Sequence, residues 1–219
     1  MMPEVHNGMN PNLELPEEEI LKQRIDKLLR LRVEEGYDPF RNDRWDRKQT
    51  LEEINRVYGS LEADCHAEGV EVVTAGRLMT IRRHGKASFA TMEDETSRIQ
   101  LYFQLDATGE KAYNFFRKWV DTGDILGVVG IPFRTRRGEL TLQVKNYTLL
   151  SKALRPLPEK WHGLKDTEIR YRQRYVDLIA NPEVRETFRK RAIIVKTFRE
   201  VLERHGTMEV ETPILSPLA

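Results

Sequence analysis

Cysteine is almost absent from the sequence: Cys65 stands alone among 219 residues. One thiol excludes an intramolecular disulfide, and this usage points to a reducing, cytoplasmic setting. With no partner motif nearby, Cys65 reads as a packed thiol. No apolar run approaches the roughly 20 residues of a membrane span. The first residues, Met1 to Asn12, lack a signal-peptide core, and positions 1–15 read as a disordered tail. Net charge is also nearly absent, at +1 from 36 Lys and Arg against 35 Asp and Glu. That excludes a bulk polycation, so any hold on a polyanion must come from local arrangement. What remains is 39% apolar and 32% charged. Such a chain suits two small domains, or one and part of a second.

The most patterned stretch is Val70 to Leu150. Five apolar-alternating runs lie in it: Val70 to Arg83, Ala87 to Asp94, Ser97 to Phe103, Asp124 to Phe133 and Glu139 to Leu150. A period of two is a strand with one buried face. Turn signals separate the runs at His84-Gly85-Lys86, Asp94-Glu95-Thr96 and Arg136-Arg137-Gly138. Between the third and fourth runs, Ala112, Phe115, Phe116 and Trp119 follow helical spacing. Thr108 is placed to cap that helix and Gly123 to stop it. Five strands with a helix after the third match the oligonucleotide/oligosaccharide-binding (OB) barrel, whose second and third strands face the ligand. A small sandwich is the alternative, and it would not need the helix there.

On the third run, Ile99, Leu101 and Phe103 share one face, and Arg98, Gln100 and Tyr102 the other. A cation, an amide and an aromatic can pair a phosphate, read a base edge and stack on a base. The plainer reading is a solvated strand face. On the second run, alternation leaves open whether Phe89 points in or out, and pattern alone slightly favours the core. On the fifth, Glu139, Thr141 and Gln143 share the polar face; Glu139 can accept from a base N–H or keep an edge soluble. The stretch holds 12 Lys and Arg against 9 Asp and Glu. From Val72 to Met92 there is no acid, but Arg77, Arg82, Arg83 and Lys86 are present, with His84. Phosphate attraction fades over about 10 Å at moderate salt, so such a strip counts for more than the total.

Upstream, Pro16 to Glu35 reads as a helix, with Glu17, Glu18 and Glu19 at its positive end and an apolar stripe of Leu21, Ile25, Leu28 and Leu29. A second helix opens with the capping box Thr50/Glu53 and turns Leu51, Ile54, Val57 and Tyr58 inward. Both are expected to pack on the barrel. Downstream, Arg155-Pro156-Leu157-Pro158 reads as a stiff linker. Asp166 to Ile179 then reads as a helix. Asn181-Pro182-Glu183 opens another, with the stripe Val184, Phe188, Ala192, Val195, Phe198 and Leu202 running to Gly206. Thr207 to Thr212 alternates as a strand. A lone helix and strand cannot cover a sheet, so this stretch reads as the beginning of a larger domain.

Two segments carry a family resemblance. Leu154-Arg-Pro-Leu-Pro-Glu-Lys-Trp-His-Gly-Leu164 and Arg170-Tyr-Arg-Gln-Arg-Tyr-Val-Asp-Leu178 resemble the bacterial-type class II lysyl-tRNA synthetases. Phe188 to Pro213, ending His205-Gly-Thr-Met-Glu-Val-Glu-Thr-Pro213, resembles the first signature motif of class II synthetases. The resemblance runs from about Pro16 to the last residue. The barrel alone would not separate lysyl from aspartyl or asparaginyl enzymes, whereas Leu154 to Leu178 is specific to the lysyl type.

The resemblance implies an α+β chain. Residues 1–15 would be the tail, 16–69 N-terminal helices on the barrel, and 70–151 an anticodon-binding OB domain. Residues 152–165 would be a linker, and 166–219 the start of a class II antiparallel-sheet catalytic domain. It implies that Phe89 stacks on the middle uridine of the lysine anticodon and that Gln100 hydrogen-bonds its edge. Arg82 and Glu139 match positions that contact the anticodon loop. It further implies a homodimer interface containing Phe188, Val195, Phe198 and Pro213. The ATP, magnesium and lysine sites of the family reaction belong to signature motifs beyond Ala219, so no catalytic residue or cofactor is expected in this chain, which alone should be inactive. A truncated RNA-binding paralogue and a general single-strand binder are the alternative readings.

Overall fold

The structure, a computed structural model, describes residues 17–41, 44–158, 164 and 166–214. The tail expected over 1–15, the helix start at Pro16, the Trp161-His162-Gly163 segment and Pro217, expected with Pro213 to close the last strand, lie outside the described residues, Pro213 excepted. The chain divides into two compact units, Met1–Pro156 and Leu157–Ala219.

The first unit is built on five strands: β1 (Val72–His84), β2 (Ala87–Glu93), β3 (Arg98–Gln104), β4 (Ile125–Arg134) and β5 (Leu140–Ser151). They close a barrel in the order β1-β2-β3-β5-β4, with β4 returning to β1. Every neighbouring pair is antiparallel except β3 and β5. Closure removes the free edges through which isolated sheets aggregate. Inside, Leu78, Ala90, Met92, Ile99, Leu101, Phe103, Leu126, Val128, Leu142 and Val144 are buried. On β2 and β3 every buried apolar residue follows the period of two expected from sequence. β1 does not keep one period throughout. Its pairing with β2 slips between Leu78 and Thr80, leaving Met79 as an extra residue. A bulge of this kind changes which parity faces outward beyond it.

Two helices follow β3. α3 (Leu105–Thr108) is a single turn and α4 (Glu110–Trp119) covers one end of the barrel. Phe116 stacks on Phe103 with ring centroids 3.9 Å apart, and Tyr113 and Trp119 are buried with it. The start expected at Thr108 is displaced. Thr108 ends α3 and gives its hydroxyl to the Val144 carbonyl at 2.9 Å, while Gly109, with φ 87°, opens α4. A positive φ at that corner suits glycine. The helix stops at Val120, before Gly123.

α1 (Glu17–Glu34) and α2 (Leu51–Tyr58) belong to the same unit. α1 buries Leu28 and Leu31, whereas Leu29, expected in the stripe, is half exposed. Its far end is tied to α4: Lys118 pairs with Glu34 at 2.7 Å, and the Trp119 indole donates to Glu35 at 3.1 Å. α2 forms its capping box and buries Leu51 and Ile54, but Val57 points out. Asp94, in the β2–β3 turn, accepts from the Leu51, Thr96 and Ser97 amides at 2.7–2.9 Å, which holds α2 onto that turn. Cys65 is exposed rather than packed.

Where β5 ends, Lys152 is fully buried. Its ammonium donates to Asp124 at 2.7 Å, to Asp121 at 3.0 Å and to the Trp119 carbonyl at 2.6 Å. Asp124 in turn accepts from the Ala153 amide at 2.8 Å. These contacts fasten the chain to the α4–β4 turn as it leaves the barrel.

In the second unit, the expected helix over 166–179 is two: α5 (Thr167–Arg172) and α6 (Arg174–Ala180). Buried Asp177 explains the break at Gln173, since it gathers Arg170 at 2.9 Å, Asn181 at 2.6 Å and Arg174. That use of Asn181 also removes its side chain as a cap for α7 (Pro182–Arg204). The strand expected over Thr207 to Thr212 is not formed. A strand needs a hydrogen-bonded neighbour, and among the described residues none lies beside it.

Candidate nucleic-acid interface

The barrel register sets two rows of outward side chains across the strands. One rung joins Arg82 to Phe89, Phe89 to Tyr102, Tyr102 to Gln143, and Gln143 to Ile131. The next joins Thr80 to Thr91, Thr91 to Gln100, Gln100 to Thr141, and Thr141 to Phe133. The buried residues of β2 are Ser88, Ala90 and Met92, so Phe89 points outward. This corrects the slight pattern preference for the core and agrees with the outward placement that the resemblance implied.

Arg82 shares parity with buried Leu78, so strict alternation would aim it inward. The bulge at Met79 turns it to the outer face, opposite Phe89, and it is exposed. Other cations of the barrel stretch separate. Arg77 donates to the Gly123 carbonyl at 2.8 Å, and burial lowers its pKa. Arg83 donates to the Val120 carbonyl at 2.7 Å. Arg98 lies 3.7 Å from the Glu93 carboxylate.

Phe89 and Tyr102 are half-buried, with ring centroids 4.8 Å apart and planes tilted by 31°. Tyr102 lies 6.0 Å from Phe133, and Phe133 stacks on His66 at 4.8 Å and 9°. The outer face is therefore an aromatic row, of which Phe133 and His66 were not legible in sequence. On β4 the outward Val129, Ile131 and Phe133 are as apolar as the inward Leu126 and Val128, so no alternation marks the exposed side.

Beside the row, Gln100 is 6% exposed. Its amide nitrogen donates to the Glu139 carboxylate, and its oxygen accepts from the Thr141 hydroxyl at 3.4 Å. Glu139 is exposed, and its own backbone is held by Thr135: its amide donates to the hydroxyl at 3.1 Å and its carbonyl accepts from the Thr135 amide at 3.0 Å. Gly138, with φ 82°, makes that tight turn possible. The structure thus brings Arg82, Phe89, Gln100 and Glu139 to one side of the barrel and couples two of them directly. An oriented amide beside exposed rings can read the edge of an unstacked base while a ring covers its face.

The four residues expected at a dimer interface lie in the second unit. Phe188, Val195 and Phe198 are 39%, 40% and 67% exposed, and Pro213 is exposed beyond the helix. Arg174 covers part of Phe188, its guanidinium 5.5 Å from the ring centroid. Among the described residues, no group of three or more His, Cys, Asp and Glu could hold a metal ion, and no helix is long and apolar enough to cross a membrane.

Residues 72–150 match the OB-fold nucleic acid binding domain, and residues 166–219 match the tRNA synthetases class II (D, K and N). A nucleic-acid-binding barrel leading into that segment defines the class. Curated relatives narrow it further. A lysine–tRNA ligase of Syntrophomonas wolfei is 48% identical over 205 residues, covering 94% of this chain and 40% of the relative. One from Thermoanaerobacter is 49% identical over 204 residues, covering 90% and 40%. One from Moorella thermoacetica is 47% identical over 203 residues, covering 93% and 40%. The chain belongs to the lysine–tRNA ligase family and spans about 40% of the length of these relatives, matching their N-terminal portion.

Proposed function

We propose that the barrel binds the anticodon loop of the lysine tRNA. In this reading the chain serves as the N-terminal part of a cytoplasmic, homodimeric lysine–tRNA ligase, an enzyme that activates lysine with ATP and magnesium and transfers it to that tRNA. The observation that carries the reading is the Phe89–Tyr102 ring pair beside the part-buried Gln100–Glu139 hydrogen bond. Phe89 supplies the face on which the middle uridine stacks. Glu139 holds the Gln100 amide in one orientation, so the edge facing the base is fixed before binding. A pyrimidine with a carbonyl at position 4 presents an acceptor there, and cytosine presents an amine donor. A fixed, nearly buried amide whose second N–H meets no acceptor on the wrong base is costly, which is how such a site discriminates. Arg82, on the same rung as Phe89, pairs a loop phosphate.

The exposed side chains of Phe188, Val195, Phe198 and Pro213 support an interface with a second copy. The ATP–magnesium chemistry of the family is assigned to none of the described residues, so this chain is given the RNA-binding part of the work alone.

Titrating the labelled chain with an anticodon stem-loop and following backbone and side-chain resonances tests the placement. The largest shifts are expected at Phe89, Gln100, Tyr102 and Glu139. Shifts spread evenly over the surface cations, with none at Gln100, would instead support a general single-strand binder.

A further inference from the structure

A second basic feature lies off the aromatic face. Between α1 and α4 is a hollow of about 450 Å3, lined by Lys27, Arg83, Asn114, Arg117, Lys118 and Asp121. Four cations therefore meet one carboxylate. That carboxylate is already shared, since Asp121 pairs with Lys27 at 2.5 Å and with buried Lys152 at 3.0 Å. Lys118 pairs with Glu34 at 2.7 Å and sits 4.3 Å above the Trp119 ring. Arg83 and Arg117 bind only backbone carbonyls, of Val120 at 2.7 Å and Gly85 at 3.4 Å. A carbonyl orients a guanidinium without neutralising it. Among the described residues, neither arginine has a carboxylate within ion-pair distance.

The position of the hollow joins it to the aromatic face. Arg82 and Phe89 pair across the β1–β2 hairpin, and the next rungs are Arg83 with Ser88 and His84 with Ala87. The turn Gly85-Lys86 closes the hairpin, about 10 Å along the strand from the Phe89 rung. Arg117 reaches the Gly85 carbonyl there. An RNA whose loop covers Phe89 and whose stem leaves over the hairpin tip passes the hollow next. Exposed His84 and Lys86 lie between.

We infer that this hollow grips backbone phosphates of the stem that carries the loop bound on the barrel face. The inference rests on the anticodon-binding reading and extends it from the bases to the duplex. Guanidinium forks suit phosphate oxygens, and such contacts position an RNA without reading its sequence. Glu34 then acts as an intramolecular competitor that holds Lys118 until a phosphate displaces it.

The test measures binding of the full chain at several salt concentrations to two probes. One is the lysine anticodon stem-loop, and the other a single-stranded oligonucleotide with the loop sequence alone. Arg117→Gln should weaken the stem-loop about five- to eightfold at 0.1 M salt and lower the log–log salt slope by about one. It should leave the oligonucleotide unchanged, because no stem reaches the hollow. Glu34→Gln should strengthen stem-loop binding, which loss of a merely structural ion pair would not do. An unchanged salt slope in Arg117→Gln, or equal weakening of both probes, would overturn the inference. Failure of the anticodon reading shows differently, as equal binding by the unaltered chain of loops that differ in the middle base.

Discussion

Replacing Lys152 by Met is expected to destabilise the barrel by about 3–5 kcal/mol. Methionine keeps most of the side-chain length, so little of the loss comes from a cavity. The loss comes from Asp124, whose carboxylate is fully buried and, among the described residues, would keep no cation within ion-pair distance. Asp121 would retain Lys27 at 2.5 Å. Burial already pushes the Asp124 carboxyl above the usual range, even with Lys152 beside it. Asp121 goes the other way: burial raises it, but Lys152 and Lys27 together outweigh that and hold it low. The signs of the two linkages are opposite. Asp121 contributes stability that is present above its unfolded pKa and lost as pH falls through its depressed folded value. Asp124 has a raised folded value, so its contribution is complete below the unfolded pKa and is lost as pH rises through the raised one. Removing the lysine raises both carboxyls. Urea unfolding should therefore show the full deficit at neutral pH and a smaller one near about pH 4, where protonation discharges the uncompensated acids. A deficit independent of pH would mean that packing, not charge, is what Lys152 supplies.

Phe89→Ala is expected to cost about 1–3 kcal/mol in binding the lysine anticodon stem-loop, roughly a 5- to 150-fold weaker Kd. The ring is half-buried against Tyr102, so its removal takes away the stacking face and loosens the neighbouring ring as well. Phe89→Leu separates these effects, since it restores apolar cover over Tyr102 without a π face. Binding should stay weak in both variants while the thermal midpoint recovers in the leucine variant. Arg82→Gln provides the contrast. It removes a cation from the same rung, so it should lower the salt slope by about one while keeping the preference between bases.

The barrel itself was readable from sequence because one face of each inward-looking strand is buried. Ile99, Leu101 and Phe103 on β3 and Leu142 and Val144 on β5 mark the core without ambiguity. Phe89 was not settled by pattern, because its inward-facing neighbours Ser88 and Ala90 are small, and an aromatic between them looks like core. Only register, which places Phe89 opposite Tyr102, decides it. The outward turn of Arg82 depends on the bulge at Met79, which leaves no compositional trace. The Gln100–Glu139 bond joins residues 39 apart in the chain, across the parallel β3–β5 pairing, and no local rule couples them. In the second unit, the helical stripe of α7 was legible, but its exposure was not. Periodicity says which residues share a face, never what covers it.

The measurement that bears most directly on the central claim is the affinity of this chain for two anticodon stem-loops that differ only at the middle base. One carries the lysine anticodon and the other has its middle uridine changed to cytidine. The uridine loop should bind better by about 1–3 kcal/mol, the worth of one base readout, at every salt concentration. Equal affinities with one shared, steep salt dependence would contradict the account, because contact would then run through phosphates alone.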